Sequence, residues 1–472
     1  MSIDEARYDR QLRLWGSGGQ RKLSESRVVC FGSSAVATET LKNLILPGIG
    51  SFVVIDDSRV SFHDLENNFF VEKEDVGLSR SEVVVNRLME LNPTIKGTYM
   101  TDLSNISSIE AEGSNVVCVI ANEWINNLLV IDYVKTVSCR YVVTLESLGF
   151  VGRVSLYGQH VVLEPRSEEE TISDFMMRNP WPSLQKYINS LDLSPEVDAC
   201  EFFHIPWLVI LAKAYQTGAR DRTELLEAIS ILEGGRSDGL NFQEARDNIY
   251  MLTALGTDTD VINSLKESLQ TIRETSFVDS TNVVDSIEAV VRFYETHNRL
   301  PLSTSSIPDM TSDTKSYTAL VALYREKFEA DLSEVMTYAP HVDHETVKKV
   351  VSNARDLEVL IFPPLYENLD QSVMSPSPKR RAPVSTVEED CGQFEDPDHQ
   401  VLVKLLDKES VEESHELVNE FKRYSGELHS VSSIVGAVAA QEIVKLVTNQ
   451  FIPIDNSFVF NGINGTAFTY RK

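Results

Sequence analysis

Arg27-Val28-Val29-Cys30-Phe31-Gly32-Ser33-Ser34-Ala35-Val36-Ala37 starts as a strand and ends in a turn. Four consecutive apolar residues running into a glycine are the pattern of a first strand that feeds the phosphate turn of a doubly wound α/β domain. A working G-x-G-x-x-G turn needs its later glycines, so that backbone can approach a phosphate and the following helix can pack on the sheet. Only Gly32 survives here. Side chains at Ser34 and Ala37 put Cβ atoms where bare backbone is wanted. The stretch therefore predicts the fold while arguing against its usual ligand, and the chain reads as a pseudo-enzyme.

Working outward, residues 8 to about 165 alternate helix and strand signals. A helix is expected from Thr38 to Leu46, stopped by Pro47-Gly48-Ile49-Gly50, and a strand from Ser51 to Asp56. Asp56 follows Gly32 by 24 residues, near the spacing at which an acid meets a ribose hydroxyl, but with the later glycines gone the reading favoured is a cap on the next turn. A helix over 79–91 and a strand from Asn115 to Ala121 continue the pattern. Tyr141–Leu145, Gly152–Leu156 and Val161–Leu163 read as consecutive strands, which makes the sheet mixed at one edge. From 166 to about 360 helical periodicity dominates, with candidates Trp207–Tyr215, Thr223–Leu232, Val261–Ile272, Val283–Tyr294 and Tyr317–Met336. A Pro/Ser-rich stretch with opposed charge blocks, 375–391, is expected as a mobile loop. Sheet character returns with a helix Ser433–Val447 and strands Ser457–Phe460 and Thr466–Tyr470. The expected organisation is an α/β domain in two parts, 1–165 and 411–472, interrupted by a mostly helical insertion over 166–410. Gly436, Ala437, Ala439 and Ala440 suggest a helix that approaches its neighbour closely.

The 472 residues carry 43 Lys+Arg against 71 Asp+Glu, a net charge of −28. That balance repels a phosphate backbone or an anionic bilayer and favours protein partners, so neither nucleic acid nor a membrane is expected. The five cysteines show no CxxC pair and no zinc spacing, so no metal site is expected, and a cytoplasmic or nuclear location is. The polar N-terminus has no apolar signal core, and no apolar run of about 20 residues is evident. His341-Val342-Asp343-His344-Glu345 has metal-like letters, but it leads into a helix and reads as structural.

Tyr8-Asp9-Arg10-Gln11-Leu12-Arg13-Leu14-Trp15-Gly16, with Pro47–Gly50, Val54-Ile55-Asp56 and Asn67-Asn68-Phe69-Phe70, resembles the activating enzymes of ubiquitin and its relatives. Leu428 to Lys445 is similar to the helix that closes their adenylation domain. Phe202-Phe203-His204-Ile205-Pro206-Trp207-Leu208-Val209-Ile210 resembles one branch, the regulatory halves of heterodimeric neddylation-activating enzymes. Close motifs cover a little under half of the chain. The resemblance implies a Rossmann-like adenylation fold of the ThiF/MoeB type, present as an inactive copy.

Active halves of this family bind ATP and magnesium and adenylate the C-terminus of a ubiquitin-like modifier, after which a cysteine captures the acyl group. Against that pattern, Asn67 stands where an arginine is expected, and an amide cannot stabilise phosphate charge as a guanidinium does. Arg80 stands where a lysine is expected and reads as a solvated residue in the first turn of a helix. The cysteines lack the expected Cys-Thr context, so no catalytic residue is assigned and no cofactor is expected on this chain alone. Arg10 matches the family arginine that crosses the interface to ATP on the partner subunit; from composition alone it would be a surface residue. The implied partners are a catalytic, cysteine-bearing subunit, the modifier and, transiently, a conjugating enzyme. Two alternatives stay open: the regulatory subunit of the SUMO-activating enzyme, and an autonomous nucleotide-binding enzyme with an atypical phosphate loop.

Overall fold

The computed structural model describes every residue except 1–3, 110–115, 138–140, 164–171, 195, 237–238, 275–280, 363–364, 366–396, 408–416, 419–425 and 472. The expected loop at 375–391 lies outside the described residues. Two compact units result, one made of Met1–Val162 with Val359–Lys472 and the other of Leu163–Glu358.

In the first unit the apolar runs become a nine-stranded sheet. Its strands are β1 (Arg27–Phe31), β2 (Ser51–Ile55), β3 (Lys96–Met100), β4 (Val116–Ala121), β5 (Tyr141–Leu148), β6 (Val151–Val162), β7 (Glu358–Phe362), β8 (Ser457–Asn461) and β9 (Thr466–Tyr470). The order is β3-β2-β1-β4-β5-β6-β8-β9, with β7 also paired to β6. Pairing is parallel from β3 to β5 and antiparallel from β5 to β9. The mixed edge is thus as expected, but two of the expected strands, Gly152–Leu156 and Val161–Leu163, are one continuous strand.

Both faces of β1 are covered, as a central parallel strand requires. Val28 and Cys30 face one apolar core, Val29 and Phe31 the other. Two helices fix the surroundings of the turn. α1 (Glu5–Ser24) is capped by Asp4, whose carboxylate accepts from the Arg7 amide, and its backbone is broken at Gly16. α2 (Ala35–Ile45) begins three residues before the expected start, and every residue from Ala35 to Leu41 is buried. It lies against the closing helix His429–Thr448. A Cβ on Gly436 would stand 2.8 Å from Glu39 Cβ and 2.9 Å from the Thr40 amide nitrogen, so the small-residue stripe does permit close approach. The closing helix is long and apolar enough to cross a membrane by composition, yet two thirds of it is buried in this core.

The chain returns to the sheet at Val359, earlier than the expected 411. β7 pairs with β6, and the helix Pro397–Leu406 packs Leu402 and Leu406 against Val151, Val459 and Tyr470. Asp407 also ion-pairs with the buried Arg153.

The second unit is helical where expected, with Trp207–Gln216, Arg222–Glu233, Asp258–Glu274, Thr281–His297 and Thr314–Tyr338, and adds Pro182–Ser190, Leu240–Asp247 and His344–Ser352. Short polar residues start several of these helices, among them Asp221, which forms a capping box with Glu224. Asp331, buried, is held by Arg299, Lys327 and the Leu302 amide.

Candidate functional site

β1 and β4 are paired neighbours at the switch point of the sheet, where α/β domains place their ligands. Gly32 sits there with φ +98°, and a Cβ on it would lie 2.9 Å from the Trp124 indole. Glycine is required at that position on both counts. The next residue turns inward, because the Ser33 amide donates to Asp56 Oδ2 at 2.9 Å and its hydroxyl bonds the same oxygen.

Asp56 is wholly buried and is engaged by Arg80, whose Nη2 lies 2.8 Å from Asp56 Oδ2 while Nη1 lies 2.8 Å from Asp64 Oδ1. Arg80 Nε also donates to Ser33 Oγ at 3.0 Å. The reading of Arg80 as a solvated residue is therefore corrected: its side chain is 11% exposed, because two buried carboxylates draw it inward. Burial pushes the Asp56 carboxyl up, but the Arg80 charge and bonds from Ser33, Arg80 and Ser58 hold it below the usual carboxylate range. Burial likewise pulls the Arg80 guanidinium down, and Asp56 and Asp64 more than reverse that. The acid that could meet a ribose is thus committed to an internal ion pair.

The N-terminus of α2 has the groups an anion needs, and Glu427 takes them. One carboxylate oxygen accepts from the Ala35 amide at 2.7 Å. The other accepts from the Val36 amide at 3.1 Å, the Ser34 hydroxyl at 3.1 Å and the Asn122 side-chain amide at 2.8 Å. Ser34, at the N-cap, makes no side-chain cap bond of its own. Asn122 holds a left-handed φ of +46° at the end of β4, and its side-chain carbonyl accepts from the Ser147 amide. Burial raises the Glu427 carboxyl above its ordinary range, against the pull of these four donors. A triphosphate does not fit this arrangement, since the two N–H groups that would hold it are already bonded to a carboxylate.

Asn67 and Asn68 are tied to the fold. Asn67 is buried, with its backbone carbonyl accepting from His429 Nδ1 at 3.0 Å, and the Asn68 side-chain amide donates to the Ser33 carbonyl. Arg13 forms an exposed pair with Asp9. Arg10 projects from α1 into solvent and makes no hydrogen bond or ion pair among the described residues. Cys30 and Cys118 are buried, and burial together with the Asp56 charge pushes the Cys30 thiol far up, away from reactivity. Cys200 is exposed, with its sulfur 4.0 Å from His204 Nδ1, which itself bonds the Cys200 carbonyl. Cys139 and Cys391 lie outside the described residues. His341 bonds Asp285, and Asp343 caps the following helix. Among the described residues no three His, Cys, Asp or Glu side chains are grouped to hold a metal.

Sequence reading missed Glu427, Asn122 and Asp64. Asp64 had a signal, as a second acid near Asp56 facing one arginine. Glu427 had none, being 305 positions from Asn122 and 392 from Ala35.

The sheet order, the glycine turn and the closing helix define an adenylation-type α/β protein. Residues 8–472 match the ThiF family, and the chain belongs to it. It is 29% identical over 546 residues to the NEDD8-activating enzyme E1 regulatory subunit of Gallus gallus, with 100% of this chain and 98% of that protein covered. The regulatory subunit of Caenorhabditis elegans is 28% identical with 98% of each covered, and the AXL regulatory subunit of Arabidopsis thaliana is 29% identical with 98% of each covered.

Proposed function

We propose that this chain is the regulatory, non-catalytic half of a two-chain enzyme that uses ATP to adenylate the C-terminus of a ubiquitin-like modifier of the neddylation pathway. The acyl group passes to a cysteine on the partner subunit. The observation that carries this reading is the self-filled cradle, Glu427 on the amides of Ala35 and Val36, in a chain similar over its whole length to regulatory subunits. ATP and magnesium belong to the partner, and a conjugating enzyme visits the assembled pair.

Arg10 crosses the interface and bonds phosphate on the partner's nucleotide. Its exposure and its freedom from internal partners support that role, as does its anchoring: Tyr8 and Trp15 on the same helix are buried, which fixes the base from which Arg10 reaches. Arginines acting in this way are worth about 10³–10⁵ in rate. Arg10→Ala is expected to leave co-purification with the catalytic subunit intact while lowering ATP–pyrophosphate exchange by at least about tenfold. Unchanged exchange in the substituted pair removes the role. Titration of the chain alone with ATP separates this reading from an autonomous nucleotide enzyme, for which tight binding is required.

A further inference from the structure

We infer that Glu427 is an internal stand-in for an oxyanion, and that the cradle at the N-terminus of α2 remains competent to bind a small anion once that carboxylate is removed. The loss of glycines alone would explain weak phosphate binding by steric exclusion. The geometry points instead to occupation. The Ala35 and Val36 amides, the Ser34 hydroxyl and the Asn122 amide converge on one carboxylate, each within 3.1 Å, which is how such groups hold a bound anion. One further donor lies at the same turn: the indole N–H of Trp124 is buried and has no acceptor among the described residues. Its nitrogen is 3.3 Å from where a Cβ on Gly32 would stand.

The backbone that carries the carboxylate is itself fastened beside the cradle. Glu427 forms a parallel bridge to Gly149, and the Gly149 amide donates to the Gly426 carbonyl at 2.7 Å, so the segment entering the closing helix is tied to the end of β5. The inference rests on the proposed role and deepens it by assigning the cause of its nucleotide indifference. It does not need the partner subunit.

Glu427→Ala in the full chain deletes a CH₂–COO⁻ fragment, which acetate replaces in size and charge. The expected result is a melting midpoint below that of the wild type in chloride buffer. Acetate or inorganic phosphate in the millimolar range should then raise it saturably, while the wild type shows no saturable response. Parallel responses in both proteins, or none in the variant, overturn the inference. Glu427→Gln keeps the shape but offers one acceptor oxygen where two are used, leaving an amide N–H of α2 against an NH₂ group. It should melt lower than the wild type and ignore acetate; a Gln variant as stable as the wild type at pH 8 also overturns the inference, and this can be read even if the Ala variant does not fold. Failure of acetate rescue leaves the regulatory role untouched, since that role is tested by exchange in the assembled pair.

Discussion

Arg80 carries the clearest lesson at the level of single residues. An arginine in the first turn of a helix normally trails into water, but here Asp56 and Asp64 stand on one side of it, each 2.8 Å away. Breaking such a pair by removing one member leaves buried charge without compensation, at a cost of about 3–5 kcal/mol. Arg80→Met should therefore lower unfolding stability in urea by roughly that amount, and a loss no larger than that of an ordinary surface substitution would contradict the assignment. Asp56 adds a pH signature. Its folded carboxyl is held below the ordinary value, so the unfolded chain takes up the proton first as pH falls. Its contribution is complete above the ordinary carboxylate range, about pH 4, and is lost as pH drops through and below it. Asp56→Asn should show a flatter acid limb in a pH series of melting midpoints. Gly32 and Asp56 were legible in the sequence because their spacing is local. Glu427 was not, because an acid next to a helix has many uses and nothing nearby names its partner.

Elements reveal why some of the fold was readable and some was not. β1, β2 and β4 were evident because parallel strands buried on both faces are continuous apolar runs. β3 escaped because Lys96, Thr98 and Tyr99 are exposed and only Gly97 and Met100 are half-buried, so the edge strand shows no alternation. α2 starts early because Ala35 to Ala37, read as a spoiled phosphate turn, already form its first turn. The contact between α2 and the closing helix depends on Gly436. Gly436→Val should overpack it and cost about 1–3 kcal/mol, lowering the melting midpoint, whereas Ala437→Val, at a partly exposed position, should change it little. Equal effects at the two positions would deny the close approach.

For the molecule as a whole, the insertion leaves the sheet after β6 and the chain re-enters it as β7, a strand paired to β6. Helical periodicity in the insertion was plain, but its end was expected at 410 and lies at Glu358. The reason is that β7 is short and the helix Pro397–Leu406 looks like any other helix until its packing on Val151 and Val459 is known. Since departure and return lie on neighbouring strands, replacing Leu163–Glu358 by a flexible Gly/Ser linker should leave the sheet unit folded. Hydrogen exchange at the β1 and β4 amides would report this, with protection expected to persist; complete exchange would show that the sheet unit needs the insertion.

The cap on α2 imposes an order on biosynthesis. Ser34 leaves the ribosome 393 residues before Glu427, so the nascent chain must carry an open helix end until that residue emerges, and β6 must wait without β8. Loops that long are slow to close and leave intermediates exposed. Chaperone retention should accordingly last until Glu427 and the closing helix behind it emerge, because that carboxylate is what seals the turn after β1.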